Sequence, residues 1–122
     1  MDGLEEIQRE LRQFVSERDW EQFHTPKNLA TALLCEAAEL AEIFQWLTPE
    51  ESLRAMDDPE RAEAVRDELA DVFSYLLRMV DVLGVDLGSA TRRKIEKNRK
   101  KYPVELASGS MRKYTKLQEN ES

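Results

Sequence analysis

Three times along this chain, a residue that can cap a helix stands directly before a proline: Thr25-Pro26, Thr48-Pro49 and Asp58-Pro59. The capping oxygen accepts one of the first free N–H groups of a helix, and proline suits the first helical position because it has no N–H to leave unpaired. Glu51 follows Thr48 by three residues and completes a capping box. No segment shows the period-two alternation of a strand. These helix-start signals, together with the lack of strand patterns, therefore predict helices throughout.

Apolar residues recur between these signals at the three- and four-residue steps of amphipathic helices. The predicted helices cover residues 4–18, Thr25-Pro26 to about Leu47, Thr48 to near Met56, Asp58-Pro59 to Gly84, and Asp86 to Pro103. Residues 19–24 are predicted to be a connection. We therefore predict an all-α fold, a helical bundle of four main helices over residues 1–103, followed by an irregular C-terminal tail over residues 104–122.

Composition limits the class of protein. A chain of 122 residues with 41% apolar residues can build one small core. We expect the chain to complete this core by assembling with further copies of itself. The net charge of −7 argues against binding to nucleic acid or to an anionic membrane. The single cysteine, Cys35, excludes an intrachain disulfide, and the N-terminus does not resemble a signal peptide. We expect a cytoplasmic protein with no membrane span.

Two of the predicted helices carry acidic residues three positions apart, Glu36 with Glu39 and Glu68 with Asp71. Such residues are neighbours on a helix surface, about 5–6 Å apart, so each pair can direct two carboxylates to one point. A solvated acidic face is the common alternative. Both pairs, however, lie in the most apolar segments, where charge is costly unless a partner or a metal offsets it. Carboxylate oxygens are the ligands that Mg²⁺ or Mn²⁺ prefers.

Aromatic residues accompany the acidic pairs. Trp46 shares a helix stripe with Asn28 and Glu39, and Tyr75 follows Asp71 by one turn. Either ring could stack on a nucleobase or simply pack in the core.

A basic segment supplies the opposite charge. Residues 92–101 hold seven basic side chains against one acidic side chain. Within them Lys94, Asn98 and Lys101 share one helix face, which suits the phosphates of a ligand whose remaining charge a metal offsets.

The two acidic pairs resemble the metal-binding signature of the all-α nucleoside triphosphate pyrophosphohydrolases, the MazG-like superfamily. Three further segments resemble its dCTP pyrophosphatase branch. They are Arg18-Asp19-Trp20-Glu21-Gln22-Phe23-His24 with Pro26 and Asn28-Leu29, then Glu39-Leu40-Ala41-Glu42-Ile43-Phe44-Gln45-Trp46, and finally Asn98-Arg99-Lys100-Lys101-Tyr102-Pro103. Each is weak alone, but their order and spacing over about residues 4–116 are specific.

The resemblance implies that Glu36, Glu39, Glu68 and Asp71 are catalytic residues that bind Mg²⁺. It implies that water attacks the α-phosphorus of a nucleoside triphosphate and that the monophosphate and pyrophosphate are the products. Mg²⁺ would act as Lewis acid, template and water activator, and one carboxylate would accept the proton of the water. The implied substrate is dCTP or a 5-modified dCTP, removed in house-cleaning of the nucleotide pool.

The resemblance also implies the substrate contacts. The side chains at the base and sugar would be Trp20, His24, Trp46 and Tyr75, with Asn28 as a further binding residue. The groups that hold the phosphates, from the same or a neighbouring subunit, would be Lys94, Asn98, Lys101 and Tyr102. Proteins of this kind are homodimers or homotetramers on a four-helix core.

Two positions depart from the family pattern. Cys35 stands where many members have a second glutamate, which leaves the number of metal ions open. Leu11 stands where some close relatives have a histidine near the nucleotide, which leaves the base preference open. The alternatives are the same reaction on dUTP, dTTP or several triphosphates, or a non-catalytic helical interaction module. A di-iron bundle is set aside because its Glu-x-x-His pairs would need a second histidine besides His24.

Overall fold

A computed structural model describes residues 3–109 of the chain. This part is helical and contains no strand, as predicted, and it divides into two compact units, one ending at Gly84 and one beginning at Val85. The helices are α1 Leu4–Glu17, α2 Pro26–Phe44, α3 Pro49–Ser52, α4 Pro59–Leu83, α5 Leu87–Lys101 and α6 Val104–Ala107, with 3₁₀ turns at Glu21–Phe23 and Ala55–Asp57. Among them, no helix is long and apolar enough to cross a membrane.

Each cap-proline pair begins a helix as predicted. The side-chain oxygens of Thr25 and Asp58 accept hydrogen bonds from the backbone N–H three residues further on, at 3.2 and 2.9 Å. The capping box is complete, since Glu51 N donates to Thr48 Oγ1 at 3.1 Å and Thr48 N donates to Glu51 Oε1 at 2.8 Å. Gly84 ends α4 in the left-handed conformation with φ 67°, which costs glycine nothing.

Two predicted helix ends are wrong by several residues. Helix α2 ends at Phe44, three residues before the predicted end. The chain needs these residues to turn, because Thr48 must be extended, with φ −72° and ψ 161°, in order to cap α3. The helix predicted to reach Met56 is a single α-helical turn followed by a 3₁₀ turn.

The segment after Pro103 contains one turn of helix, α6, where the sequence predicts irregular structure. Most of the predicted tail, residues 110–122, lies outside the described residues. The division between a domain at 1–103 and a tail at 104–122 stays a prediction.

The end of α1 is a Schellman motif built without glycine. Asp19 adopts the left-handed conformation, with φ 54°. The N–H of Trp20 then donates to the carbonyl of Val15 at 3.0 Å, and the N–H of Asp19 donates to the carbonyl of Ser16 at 3.1 Å, which is the bond pair of that motif. The motif fixes the direction in which the chain leaves α1 and therefore the position of Trp20.

The core of the first unit lies along α4, which packs against α2 and, less extensively, against α1. The buried apolar residues are Val15, Leu29, Ala55, Ala62, Val65, Leu77 and Val80. The largest fully buried side chains are Leu29 and Leu77. Large apolar side chains remain exposed on the same two long helices and just after α2, with Leu34 69%, Leu69 50% and Trp46 87% accessible. The core is small, as the composition predicts.

Candidate functional site

The two acidic pairs meet where α2 packs against α4. One carboxylate oxygen from each of Glu36, Glu39 and Glu68 lies within 4.8 Å of the other two. Glu36 and Glu68 are half-buried, whereas Glu39 is exposed. Three of the four acidic side chains singled out from the sequence therefore converge on one point, in an arrangement that could hold a metal ion.

Two oxygens of this cluster lack a hydrogen-bond donor. Glu36 Oε2 and Glu68 Oε2 are inaccessible to solvent, and no donor within residues 3–109 reaches either. The pKa of Glu36 is raised to about 7, because its protonated form can donate a hydrogen bond to Glu68 and because burial and the nearby carboxylates of Glu39 and Asp71 disfavour its charged form. Buried carboxylate oxygens are costly unless a proton or a cation satisfies them. The donor set is all oxygen and fits a hard divalent cation.

The fourth acidic residue, Asp71, is placed differently. It is exposed and lies one turn after Glu68 on α4. Its charge contributes to the raised pKa of Glu36, so it lies near the cluster, and its side chain also lines a cavity. Asp71 thus connects the carboxylate cluster with that cavity.

The cavity has a volume of about 300 Å³ and is formed by α1, the connection after α1, and α4. Its walls include three of the predicted substrate contacts, Trp20, His24 and Tyr75, together with Asp71 and with Leu11, at the position that departs from the family pattern. The fold thus brings Trp20 and Tyr75 to one cavity beside the acidic residue Asp71.

Trp20 is held at this cavity by its neighbours in α1. Its ring meets the ring of Phe14 edge to face, with centroids 5.7 Å apart and planes at 75°. The guanidinium of Arg18 lies 3.7 Å from the centroid of the Phe14 ring. The contact with Phe14 orients Trp20, which is still 43% exposed and lines the cavity.

His24 contacts a buried arginine that the sequence analysis missed. Arg78 Nε donates to His24 Nδ1 at 3.3 Å, and Arg78 Nη1 donates to Asp81 Oδ2 at 3.1 Å. Burial, and then the charge of Arg78, lower the pKa of His24. The available signal was a pair of opposite charges three residues apart on α4, Arg78 and Asp81. Nothing in the sequence pairs them with His24, 54 positions away.

Two other predicted contacts lie elsewhere in the first unit. Asn28 Nδ2 donates to the carbonyl of Phe23 at 3.0 Å, so this amide ties the connection to α2. Trp46 follows α2 and does not line the cavity. Its exposure shows that packing in the core, the alternative left open for this ring, is wrong for Trp46 within this unit.

The predicted phosphate contacts belong to the second unit. Lys94 and Asn98 lie on α5, Lys101 is its last residue, and Tyr102 follows it. Lys94 is exposed, while Asn98 and Lys101 are half-buried. Asp86 caps the start of α5, as the sequence predicts, and its carboxylate accepts a hydrogen bond from the N–H of Ser89 at 3.1 Å.

The sequence model of the MazG-like family matches residues 32–117, which include all four acidic residues. The chain belongs to the MazG-like family. It is 46% identical to dCTP pyrophosphatase 1 of human and of cattle over 114 residues, which is 93% of this chain and 67% and 68% of those proteins.

Among solved structures, a pyrophosphatase from Archaeoglobus fulgidus matches this MazG-like chain with a TM-score of 0.78 and 42% identity, over 84% of this chain and 94% of that chain. The family recognised from the sequence is confirmed, and so is the prediction of an enzyme similar to dCTP pyrophosphatases.

Proposed function

We propose that this enzyme hydrolyses dCTP, or a 5-modified dCTP, to the monophosphate and pyrophosphate, with Mg²⁺ at Glu36, Glu39, Glu68 and Asp71. The observation that carries the proposal is the pair of buried carboxylate oxygens without donors, in a chain so similar to human dCTP pyrophosphatase 1. Removal of unwanted nucleotides from the cytoplasmic pool is the role that follows.

The carboxylates hold the cation and also handle a proton. When bound, Mg²⁺ supplies Lewis acidity to the triphosphate and lowers the pKa of water, and Mn²⁺ offers the same preference for oxygen. One of the four carboxylates accepts the proton of the water that attacks the α-phosphorus. The O–P bond to the departing pyrophosphate breaks as the new O–P bond forms. Asp71 lines the cavity, and in this proposal the sugar and α-phosphate of the substrate bind next to it.

The base and sugar occupy the cavity beside Asp71. A volume of about 300 Å³ is at the lower end of the range for small-molecule sites, which suits a single nucleoside. Trp20 and Tyr75 offer aromatic faces for stacking, and His24 offers a polar group for the base or sugar.

Assembly completes the substrate site. The exposed apolar side chains Leu34, Trp46 and Leu69 support a homodimer or homotetramer, because so much apolar surface on so small a core favours burial against another copy. In this proposal Trp46 joins the base pocket, Asn28 supports it, and the phosphates are held by Lys94, Asn98, Lys101 and Tyr102 of the same or a neighbouring subunit.

The test is pyrophosphate release from dCTP, 5-methyl-dCTP, dUTP, dTTP and the ribonucleotides, each with and without Mg²⁺. We expect Mg²⁺-dependent turnover with the highest kcat/KM for the cytosine deoxynucleotides. Glu39→Gln and Asp71→Asn should lose most of it, whereas Asp67→Asn, an exposed acid on the same helix, should retain it. A higher kcat/KM for dUTP or dTTP would favour the alternative substrates. No turnover with any nucleotide would favour the non-catalytic helical module.

A further inference from the structure

Four side chains form a chain of hydrogen bonds that links α1, α4 and the connection between α1 and α2. Arg12 Nε and Nη2 donate to the two oxygens of Asp81, both at 2.7 Å. Arg78 Nη1 donates to Asp81 Oδ2 at 3.1 Å, and Arg78 Nε donates to His24 Nδ1 at 3.3 Å. All four residues belong to the first unit. Two of them, Arg78 and His24, line the 300 Å³ cavity.

The last bond of this chain fixes where the proton of His24 resides. An arginine guanidinium does not lose a proton in proteins, so its Nε–H can only donate. His24 Nδ1 must therefore be an unprotonated acceptor. A neutral imidazole carries one N–H, which is then at Nε2. Burial and the positive charge of Arg78 both disfavour the protonated ring, so His24 is neutral near neutral pH.

The group of His24 that remains available to hydrogen-bond a ligand is Nε2–H. Within residues 3–109 no hydrogen bond occupies Nε2, whereas Nδ1 is taken by Arg78. The ring is half-buried at the cavity wall. A ligand in the cavity thus meets a histidine that can donate a hydrogen bond but cannot accept one.

We propose that Arg78 is a positioning residue for substrate recognition. Arg78 holds neutral His24 in the Nε2–H tautomer, so that His24 donates a hydrogen bond to an acceptor on the bound nucleoside. The acceptor is a carbonyl oxygen or an unprotonated ring nitrogen of the base. The inference rests on the proposed function, because it takes the cavity to be the base site.

The burial of Arg78 supports a role beyond ordinary packing. Its side chain is only 9% accessible, and Asp81, its charge partner, is 17% accessible. Asp81 alone could satisfy a guanidinium through two parallel bonds, which is the arrangement that Arg12 adopts with it. Arg78 instead gives one donor to Asp81 and another to a cavity-lining histidine. Asp81 offsets the buried charge, and Nε is left to orient His24.

The tautomer can be read directly, because His24 is the only histidine in the chain. The test is a two-dimensional ¹H–¹⁵N spectrum of the imidazole in the full, nucleotide-free protein at pH 8. We expect the chemical shifts of the Nε2–H tautomer, with Nδ1 unprotonated. An Nδ1–H tautomer, or an even mixture of the two, would overturn the proposal.

Three variants separate positioning from stability. Arg78→Met keeps an unbranched side chain as far as the position of Nε but removes all the hydrogen-bond donors, and we expect His24 to become a mixture of tautomers. Arg12→Met removes the outer ion pair and leaves the Arg78–His24 bond, so the tautomer should not change even if the protein is less stable. Arg78→Lys keeps a cationic donor and should restore the Nε2–H tautomer. An unchanged tautomer in Arg78→Met would overturn the proposal. If that variant does not fold, the wild-type spectrum and Arg78→Lys decide.

Binding of α,β-imido-dCTP, which cannot be hydrolysed between the α- and β-phosphates, measures the effect on recognition. Loss of one hydrogen bond should weaken binding by about fivefold in Arg78→Met, with less than twofold change in Arg12→Met. Equal binding by wild type and Arg78→Met would also overturn the proposal. Failure of the proposed function would show differently, as no pyrophosphate release from any triphosphate by the wild-type protein, whatever tautomer His24 adopts.

Discussion

At the scale of single residues, the identity of the four acidic side chains could be predicted, but their environment could not. Because spacing along a helix is a local property, the sequence alone identifies the pairs Glu36 with Glu39 and Glu68 with Asp71. Which carboxylate oxygens are buried without a hydrogen-bond donor depends on how α2 and α4 pack against each other. That packing buries Glu36 Oε2 and Glu68 Oε2 and leaves Asp71 at the cavity. The Arg78–His24 bond was missed for the same reason, since no local pattern joins residues so far apart.

The pKa of Glu36 gives a prediction for the metal-free protein. Its pKa is raised from 4.5 to about 7, so between these values the folded state binds a proton that the unfolded chain has released. Stability contributed through this group is therefore lost as the pH rises from about 4.5 to 7. The melting temperature of wild type, relative to Glu36→Gln, should fall as the pH is raised over this range in EDTA. A difference that does not change with pH, or that rises, would contradict the assignment.

Trp46 gives a second prediction at this scale. Because the ring is 87% exposed in one chain, Trp46→Ala should leave the stability of the subunit fold nearly unchanged. If the ring stacks on the base, KM for dCTP should rise about 5- to 150-fold, as expected from about 1–3 kcal/mol of stacking. Steady-state kinetics and thermal unfolding on the same samples separate the two effects. An unchanged KM would remove Trp46 from the nucleotide site.

At the scale of elements, helix starts could be predicted better than helix ends. A start is signalled by a capping side chain and a proline within two residues, as at Thr25 and Asp58. An end depends on what the chain does next. Helix α2 stops at Phe44 because Thr48 must cap α3, and α1 ends in a left-handed residue, Asp19, that no glycine announces.

The left-handed conformation of Asp19 gives a prediction about the end of α1. A β-branched residue tolerates this conformation poorly, at a cost of about 1–2 kcal/mol, whereas glycine adopts it freely. We expect Asp19→Val to be less stable than wild type by about that amount and Asp19→Gly to be at least as stable as wild type. Urea unfolding measures both. Equal stability of the two variants would show that the Schellman motif does not hold the end of α1.

At the scale of the whole molecule, the all-α class and the small core followed from composition and periodicity. The apolar positions of α4 are not all part of the core, however. Leu77 and Val80 are buried, while Leu69 on the same helix is half exposed. A sequence pattern identifies an apolar face but does not indicate whether the same chain or another copy covers it. We therefore place the proposed subunit contact at the exposed apolar side chains of α4, such as Leu69.

Assembly gives a prediction that mass measurements can check. A charge at a subunit contact must be desolvated or expelled, so Leu34→Glu should lower the mass of the particle seen by sedimentation equilibrium and weaken activity with it. Leu53→Glu is the matched control, since Leu53 is also highly exposed, at 88%, but lies after α3. Wild-type protein that sediments as a monomer would contradict the proposed oligomer.

In the proposed function, the carboxylate cluster holds the Mg²⁺ that dCTP hydrolysis requires. The most direct measurement is Mg²⁺-dependent pyrophosphate release from dCTP by Glu68→Gln, compared with Asp67→Asn on the adjacent, exposed residue. We predict that Glu68→Gln lowers kcat/KM by more than about a hundredfold, beyond the loss typical of residues outside the direct metal ligands, while Asp67→Asn stays within twofold of wild type. Folded Glu68→Gln protein with wild-type kcat/KM would show that Glu68 does not bind the required Mg²⁺.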